Sequence, residues 1–207
     1  MAAPHLPRRV STGARAARLL GGLALFGFAL ALMVRAELGL GPWDVLHQGL
    51  ARQLDLPIGT VTILVGVVVL AAWVPLRQRP GPGTVANVVL VGLAVDGSLA
   101  LLPSVHLLAL RYALLLAGIV LMAVATGLYV GAAFGPGPRD GLMTGLAARG
   151  VPVRVGRTAI EVSVLAIGFL TGGSVGVGTV VFALTIGPLV QLTLRWLAVA
   201  PTEVRHV

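Results

Sequence analysis

Two short stretches decide how this sequence folds: GLGPWDVLHQGLAR at residues 39–52 and GPGPRDGLMTGLAA at residues 135–148. Both contain Gly-x-Gly-Pro-x-Asp, and in both a Gly-Leu-Ala step begins five residues after the aspartate. When the chain is compared with itself at a spacing of 96, residues 15–51 and 111–147 are identical at 18 of 37 positions. Chance in so biased a composition gives roughly 10–15%. The chain therefore contains two copies of one unit.

The repeat continues beyond these stretches at a spacing of 95. The matching pairs there are Pro57/Pro152, Gly81/Gly176, Gly83/Gly178, Thr84/Thr179 and Gly92/Gly187. One acidic position breaks the symmetry, because Asp96 aligns with Gln191. We divide the chain into a basic tail (1–14), a first repeat (15–102), a second repeat (103–200) and a short C-terminal tail (201–207).

The composition places the chain in a membrane. Of 207 residues, 57% are hydrophobic and only 11% are charged, whereas a soluble domain has about 25% charged residues. Too little charge remains to cover a surface that faces water, which excludes a soluble globular enzyme. Disorder is excluded as well, since it requires low hydrophobicity. The net charge of +8 comes from arginines that lie between apolar runs, so it predicts topology signals and no nucleic-acid partner.

Six runs approach the roughly 20 apolar residues that a membrane helix needs: Ala17–Val34, Ile58–Leu76, Thr84–Leu102, Leu107–Ala133, Thr158–Thr171 and Gly178–Ala200. The fifth is the weakest because Glu161 interrupts it. Runs of this length must form helices in lipid, where every backbone polar group needs an internal partner. The sequence thus predicts an all-α membrane protein with six spans, in which each repeat adds a short re-entrant or interfacial Gly-Pro-x-Asp helix.

The arginines indicate the orientation. With the N-terminus inside the cell, twelve arginines lie on the cytoplasmic side and three on the outer side, which agrees with the excess of positive charge in cytoplasmic loops. We expect a protein of the inner (plasma) membrane with both termini in the cytoplasm. Because each repeat has three spans, the second repeat enters the membrane from the opposite face. Many secondary transporters consist of such inverted repeats, with a site at the repeat interface.

The Gly-Pro-Trp-Asp and Gly-Pro-Arg-Asp segments and the later Gly-Thr elements (Gly83-Thr84 and Gly178-Thr179) resemble the bacterial YczE/YyaS/YitT-type integral membrane proteins. The resemblance covers roughly residues 15–197. It implies a multi-pass membrane protein without an established substrate, and one branch of the family is associated with the production of a lipopeptide antibiotic.

The candidate binding residues lie at the starts of the two short helices: Gly41, Pro42, Trp43, Asp44, Gly137, Pro138, Arg139 and Asp140. Glycine caps and proline at the first helical position are typical of helix starts, and the aspartates are placed to bond the free N–H groups. This structural role is one interpretation. The other is that the helix starts meet a solute, in which case a cation, a zwitterion or a proton suits the two aspartates better than an anion.

Three further polar residues in apolar runs complete the candidate site: Asp96, Glu161 and Gln191. A carboxylate within a span usually faces a cavity or the bundle interior, so we expect Asp96 to form an outer cluster with Asp44, or else to bond a neighbouring helix. Glu161 follows Arg157 by one helical turn, which predicts an ion pair, with a proton relay as the alternative. Gln191 and Asn87 suit hydrogen bonds between helices, and the three tryptophans suit the membrane interfaces.

No catalytic or metal-binding pattern is present in the sequence. Cysteine and lysine are absent, the four histidines lie far apart, and no nucleophile or phosphate-loop motif occurs. We therefore expect neither an enzyme nor a cofactor or metal. The first hypothesis is a gradient-driven transporter or permease of a small solute or ion. The alternative is a non-transporting scaffold or accessory factor for another enzyme system. The expected partners are the lipid bilayer, the solute, and a homo-oligomer or membrane partner.

Overall fold

The computed structural model describes residues 11–197, and within that range the chain forms helices and no strand. The eight helices are α1 (Thr12–Ala36), α2 (Pro42–Leu54), α3 (Ile58–Trp73), α4 (Pro82–Leu101), α5 (Leu108–Gly131), α6 (Pro138–Ala147), α7 (Val153–Leu170) and α8 (Val177–Leu197). Both predicted tails lie partly or wholly outside the described residues. The six apolar runs coincide with α1, α3, α4, α5, α7 and α8, and the two Gly-Pro-x-Asp segments are the short helices α2 and α6.

Four of these helices (α1, α4, α5 and α8) are long and apolar enough to cross a membrane. A fifth candidate arises if α2 and α3, which meet at an angle of 113°, count as one broken span. Fewer helices therefore meet the criterion than the six spans predicted from the sequence. The difference has two physical reasons: α3 has only 16 residues, and the 18 residues of α7 include Arg154, Arg157 and Glu161.

The outer surface of the bundle is apolar. Large hydrophobic side chains are exposed on every long helix, among them Leu20, Val68, Leu93, Leu116, Val162 and Leu184. Water-soluble monomers rarely expose contiguous apolar surface on this scale, whereas lipid solvates it without cost. The exposed faces thus agree with helices that lie side by side in a bilayer.

Helices α1 and α5 form the centre of the fold and run antiparallel. Gly22 of α1 lies against the backbone of α5 near Tyr129, and its repeat partner Gly118 lies against the backbone of α1 near Ala29. A Cβ at either glycine would come within about 3 Å of these backbone atoms. Small residues at both ends of the crossing therefore let the two backbones approach closely.

The two ends of this central pair are closed by equivalent arginines. Arg15 Nε donates to the carbonyl of Ala132 at 3.0 Å, beyond the last residue of α5. Arg111 Nε donates to the carbonyl of Ala36 at 2.6 Å, at the end of α1. Each arginine satisfies carbonyls that the partner helix leaves without an intrahelical bond. Because the same bond occurs at both ends, it fixes the antiparallel arrangement of the two repeats' first helices.

The two repeats interlock across this centre. Helix α4 packs on α1 and α8 packs on α5, while α2 lies against α7 and α6 lies against α3. The short helix of each repeat is therefore held by the other repeat. Glycines allow both contacts: Gly168 of α7 faces the backbone of Leu46, and Gly141 of α6 faces the ring of Trp73.

The packing of the last two helices of each repeat departs from the symmetry. Helices α3 and α4 pack closely, and a Cβ at Gly92 would collide with the Gly59 carbonyl. The equivalent helices α7 and α8 scarcely touch. Gly187, which corresponds to Gly92 in the repeat, has nothing within 4 Å of its Cβ position. The bundle is thus closed on the α3–α4 side and open on the α7–α8 side.

Candidate functional site

The two short helices begin in the same way and point into the centre of the bundle. Before α2 the chain turns through Gly39, whose φ is +106°, and before α6 it turns through Gly135, whose φ is +121°. Residues that carry a side chain rarely adopt a positive φ of this kind, which explains why both turns contain glycine at this position. The N-caps Gly41 and Gly137 then have nearly equal torsions, with ψ of 157° and 158°. The repeated motif therefore encodes one local structure twice.

Hydrogen bonds from the opposite repeat hold each turn in place. Gly178 N donates to Leu38 O at 2.7 Å, and Gly83 N donates to Phe134 O at 3.0 Å. The Trp73 indole adds a bond to Pro138 O at 3.0 Å and is only 1% exposed. Trp73 and Trp43 are therefore buried inside the protein, whereas the tryptophans of an interfacial aromatic belt, which the sequence predicted, would be exposed. Trp73 instead anchors the first residue of α6, because a buried indole N–H needs an acceptor.

The start of α2 and the start of α6 are joined by an ion pair. The Arg139 guanidinium lies 3.2 Å from Asp44 Oδ1, and Asp44 is 1% exposed. The guanidinium also lies over the Trp43 ring, 5.0 Å from its centroid. The capping role predicted for Asp44 is wrong, since its hydrogen bond goes to Arg139 and none is formed with the start of its own helix. Trp43 and Arg139 occupy equivalent repeat positions, so their stack lies where the two repeats meet.

His47 extends this network into the bundle. Its Nδ1 lies 3.6 Å from Asp44 Oδ1 and 3.3 Å from the Thr62 hydroxyl. That hydroxyl already donates to Ile58 O at 2.8 Å, so it can only accept from the histidine. With two acceptors around it, Nδ1 carries a hydrogen, and Nε2 is left with a free lone pair in the neutral ring. No functional role for His47 was predicted from the sequence.

Asp140, the equivalent of Asp44, has different surroundings. Its carboxylate lies near the backbone N–H of Gly137, which agrees with the predicted capping role, but the described residues show no hydrogen bond of normal geometry between the two groups. Its Oδ2 and the Tyr129 hydroxyl each lie 3.1 Å from where a Cβ at Gly137 would be, and a larger residue there would meet both oxygens. Among residues 11–197, Asp140 forms no ion pair, and its side chain remains exposed.

These residues surround a central cavity of about 520 Å³ to which every helix contributes. The ionisable groups in its wall are Asp44, Asp140, Glu161, Arg139, Arg157 and His47. The aromatic groups are Phe26, Trp43, Tyr129 and Phe182. A mostly apolar cavity with a few convergent polar groups is the usual form of a small-molecule site. All the candidate residues at the starts of the short helices line it.

The remaining candidates in the second repeat also line the cavity. Glu161 forms the predicted ion pair with Arg157, at 2.9 Å from Nε to Oε1. Gln191 and Asn87 lie in the same wall, and within the described range neither forms the interhelical hydrogen bond expected of it. Their amides are therefore available to a solute or to water.

Asp96 lies outside this group. Its carboxylate accepts from the backbone N–H groups of Gly59 at 2.7 Å and Thr60 at 3.0 Å, at the start of α3. The predicted outer cluster of Asp96 with Asp44 does not form, because the free N–H groups of a helix start attract the carboxylate more directly. The alternative expectation, a bond to a neighbouring helix, describes the structure.

The sequence reasoning missed His47, Tyr129 and Arg157 as cavity residues. For Arg157 the repeat spacing contains a usable signal. Arg157 aligns with Thr62, and Glu161 aligns with Gly66. All four of these positions line the cavity. Tyr129 lies in an apolar run that offers no such signal. In the described part of the chain, no group of three or more metal-binding side chains occurs.

An apolar outer surface and several candidate spans define a multi-pass integral membrane protein. Comparison with known sequences gives the family: the chain belongs to DUF6198, a family of unknown function whose model matches residues 13–195. An uncharacterized protein of Haemophilus influenzae is 40% identical over 184 residues, which is 88% of this chain and 84% of that protein.

Two proteins of Bacillus subtilis are also similar to the chain. The uncharacterized membrane protein YczE is 30% identical over 84% of this chain and 82% of its own length. The uncharacterized protein YyaS is 25% identical over 83% and 88%, respectively. The resemblance to YczE and YyaS inferred from the short motifs is therefore confirmed. No solved structure matches the chain.

Proposed function

We propose that the chain is a gradient-driven transporter of a small solute, which binds in the central cavity between two inverted three-span repeats. In this proposal α3 and α7 are the second and fifth spans, and α2 and α6 dip into the membrane beside them. The protein lies in the inner (plasma) membrane with both termini in the cytoplasm, as the distribution of arginines predicts.

The observation that carries the proposal is a symmetric fold with an asymmetric opening. The two repeats share their turns and their central crossing, yet α3–α4 is closed and α7–α8 is open. In an inverted repeat, exchanging the two arrangements would open the site toward the opposite face of the membrane. Transporters of this architecture work by such an exchange around a fixed site.

Sequence differences between the repeats explain why the arrangements differ in this structure. On the closed side Asp96 bonds the start of α3, and Gly59 and Gly92 allow backbone contact. On the open side Gln191 and Arg154 occupy the positions of Asp96 and Gly59. A neutral amide and a bulky guanidinium hold two helices together less well, so the open arrangement is favoured there.

Proteoliposomes provide the test. Purified protein is reconstituted, and uptake is followed for a panel of small labelled solutes that includes cations, anions and zwitterions. We expect uptake of at least one of them above that of empty liposomes, and its loss in Asp44→Asn and Asp140→Asn. Asp55→Asn, an exposed position at the end of α2, is the matched control and retains uptake.

The alternative function, a scaffold or accessory factor for another enzyme system, predicts a different result. Such a protein transports nothing on the panel, and it co-purifies with a membrane partner. If the reconstituted protein is correctly folded and oriented, the absence of flux together with a stoichiometric partner would refute the transporter proposal.

A further inference from the structure

We infer that the solute recognised in the central cavity is a small organic cation, with Asp140 as its counterion. This inference rests on the proposed function for its physiological meaning, but the binding itself can be measured separately. It depends on three features of the cavity: its charge balance, its aromatic wall and its size.

Within the described part of the chain, one carboxylate in the cavity wall forms no ion pair. Arg139 is paired with Asp44 at 3.2 Å, and Arg157 is paired with Glu161 at 2.9 Å. With these two pairs formed, Asp140 is the acidic side chain of the wall that has no ion-pair partner among residues 11–197. A carboxylate that lines a mostly apolar cavity favours a positive ligand there, because a cation needs a compensating charge when it leaves water.

Aromatic rings line the same cavity as this carboxylate. The Tyr129 hydroxyl is close to Asp140, and Phe26 meets Tyr129 edge to face with 6.2 Å between the ring centroids. Phe182 also lines the cavity, and its ring lies against Gly41 at the start of α2. Aromatic faces attract cations, and enclosures of such rings bind quaternary ammonium groups in particular.

The fold already contains one interaction of this kind. The Arg139 guanidinium lies over the Trp43 ring beside the Asp44 carboxylate. A cation between an aromatic ring and Asp140 would repeat that arrangement around the second aspartate, with the ligand supplying the charge that Arg139 supplies for the first. The cavity volume of about 520 Å³ is ample for an alkylammonium ion, and its aromatic wall suits such an ion better than a bare metal ion.

Binding is tested with choline and with 3,3-dimethylbutan-1-ol, which has a similar shape and no charge. Isothermal titration of the full-length protein in detergent measures both. We expect choline to bind and the neutral analogue to bind at least about tenfold more weakly, as loss of a charge contact of roughly 1.4 kcal/mol implies. Asp140→Asn is expected to weaken choline binding by a similar factor, whereas Asp55→Asn leaves it unchanged.

The outcomes separate this inference from the proposed function. Equal binding of both compounds, or choline binding that Asp140→Asn does not alter in a folded protein, would overturn the cation site. Uptake of anions or neutral solutes only, with no choline binding, would also overturn it while the transporter proposal stands. Charge-selective, Asp140-dependent binding without any flux would support the site and count against transport.

Discussion

The Asp44–Arg139 pair is expected to be the most sensitive polar contact of the fold. Replacing Arg139 by Met removes the guanidinium that lies 3.2 Å from a carboxylate with 1% exposure. Breaking a buried ion pair from one side costs about 3–5 kcal/mol. Arg139 itself is 31% exposed, and His47 lies near Asp44, so we expect a value near the lower limit, about 3 kcal/mol.

The double variant Asp44→Asn/Arg139→Met removes the uncompensated charge. We expect it to be about 2 kcal/mol more stable than Arg139→Met alone, because an amide in the same place loses only a hydrogen bond of about 1 kcal/mol. The free energy of unfolding is measured in mixed micelles by titration with sodium dodecyl sulfate, with far-ultraviolet circular dichroism as the signal.

Arg157→Met provides the matched control. Its partner Glu161 is 35% exposed and Arg157 is 55% exposed, so its removal should cost less than about 1 kcal/mol. If the two arginine variants are equally stable, or if the double variant does not regain stability over Arg139→Met, the pair does not contribute as a buried one and the reasoning is wrong.

Three further predictions concern the closed and open sides of the bundle and the start of α6. Gly92→Ala should destabilise the protein by about 1–3 kcal/mol through overpacking against the Gly59 carbonyl, whereas Gly187→Ala should leave stability unchanged or raise it by up to about 1 kcal/mol; equal effects in the same unfolding titration would contradict the asymmetry. Asp96→Asn should cost about 1 kcal/mol by weakening the bonds to the start of α3, and it should leave solute binding intact. A loss of binding at unchanged stability would show that Asp96 takes part in solute binding. Trp73→Phe should cost about 1–3 kcal/mol, because it removes the donor to a buried carbonyl. Thermal unfolding of the purified protein measures this cost, and a smaller effect would contradict the prediction.

Helix positions and the duplicated unit could be predicted from the sequence because they depend on local patterns. Apolar runs must become helices in lipid, and a Gly-Pro step starts each of the helices α2, α4 and α6. The same reasoning placed the starts of α2 and α6 in the candidate site, and the structure brings them together at the cavity.

Side-chain partners could not be predicted in the same way, because they depend on how the repeats interlock. Asp44 was expected to bond its own helix, yet Arg139 of the other repeat competes more strongly as a charged partner. Asp96 was expected near Asp44, yet the start of α3 lies closer. Trp73 was expected at an interface, but the contact of α6 with α3 buries it. Each difference arises from a contact between segments that are far apart in sequence.

The opposite orientation of the two repeats is the central claim, and cysteine labelling tests it most directly. The chain has no native cysteine, and the equivalent prolines Pro57 and Pro152 are both exposed caps at helix starts. Single variants Pro57→Cys and Pro152→Cys are treated with a membrane-impermeant maleimide in right-side-out vesicles. The account predicts that Pro57→Cys reacts at once and Pro152→Cys reacts only after permeabilisation. Labelling of both positions from the same side would contradict it.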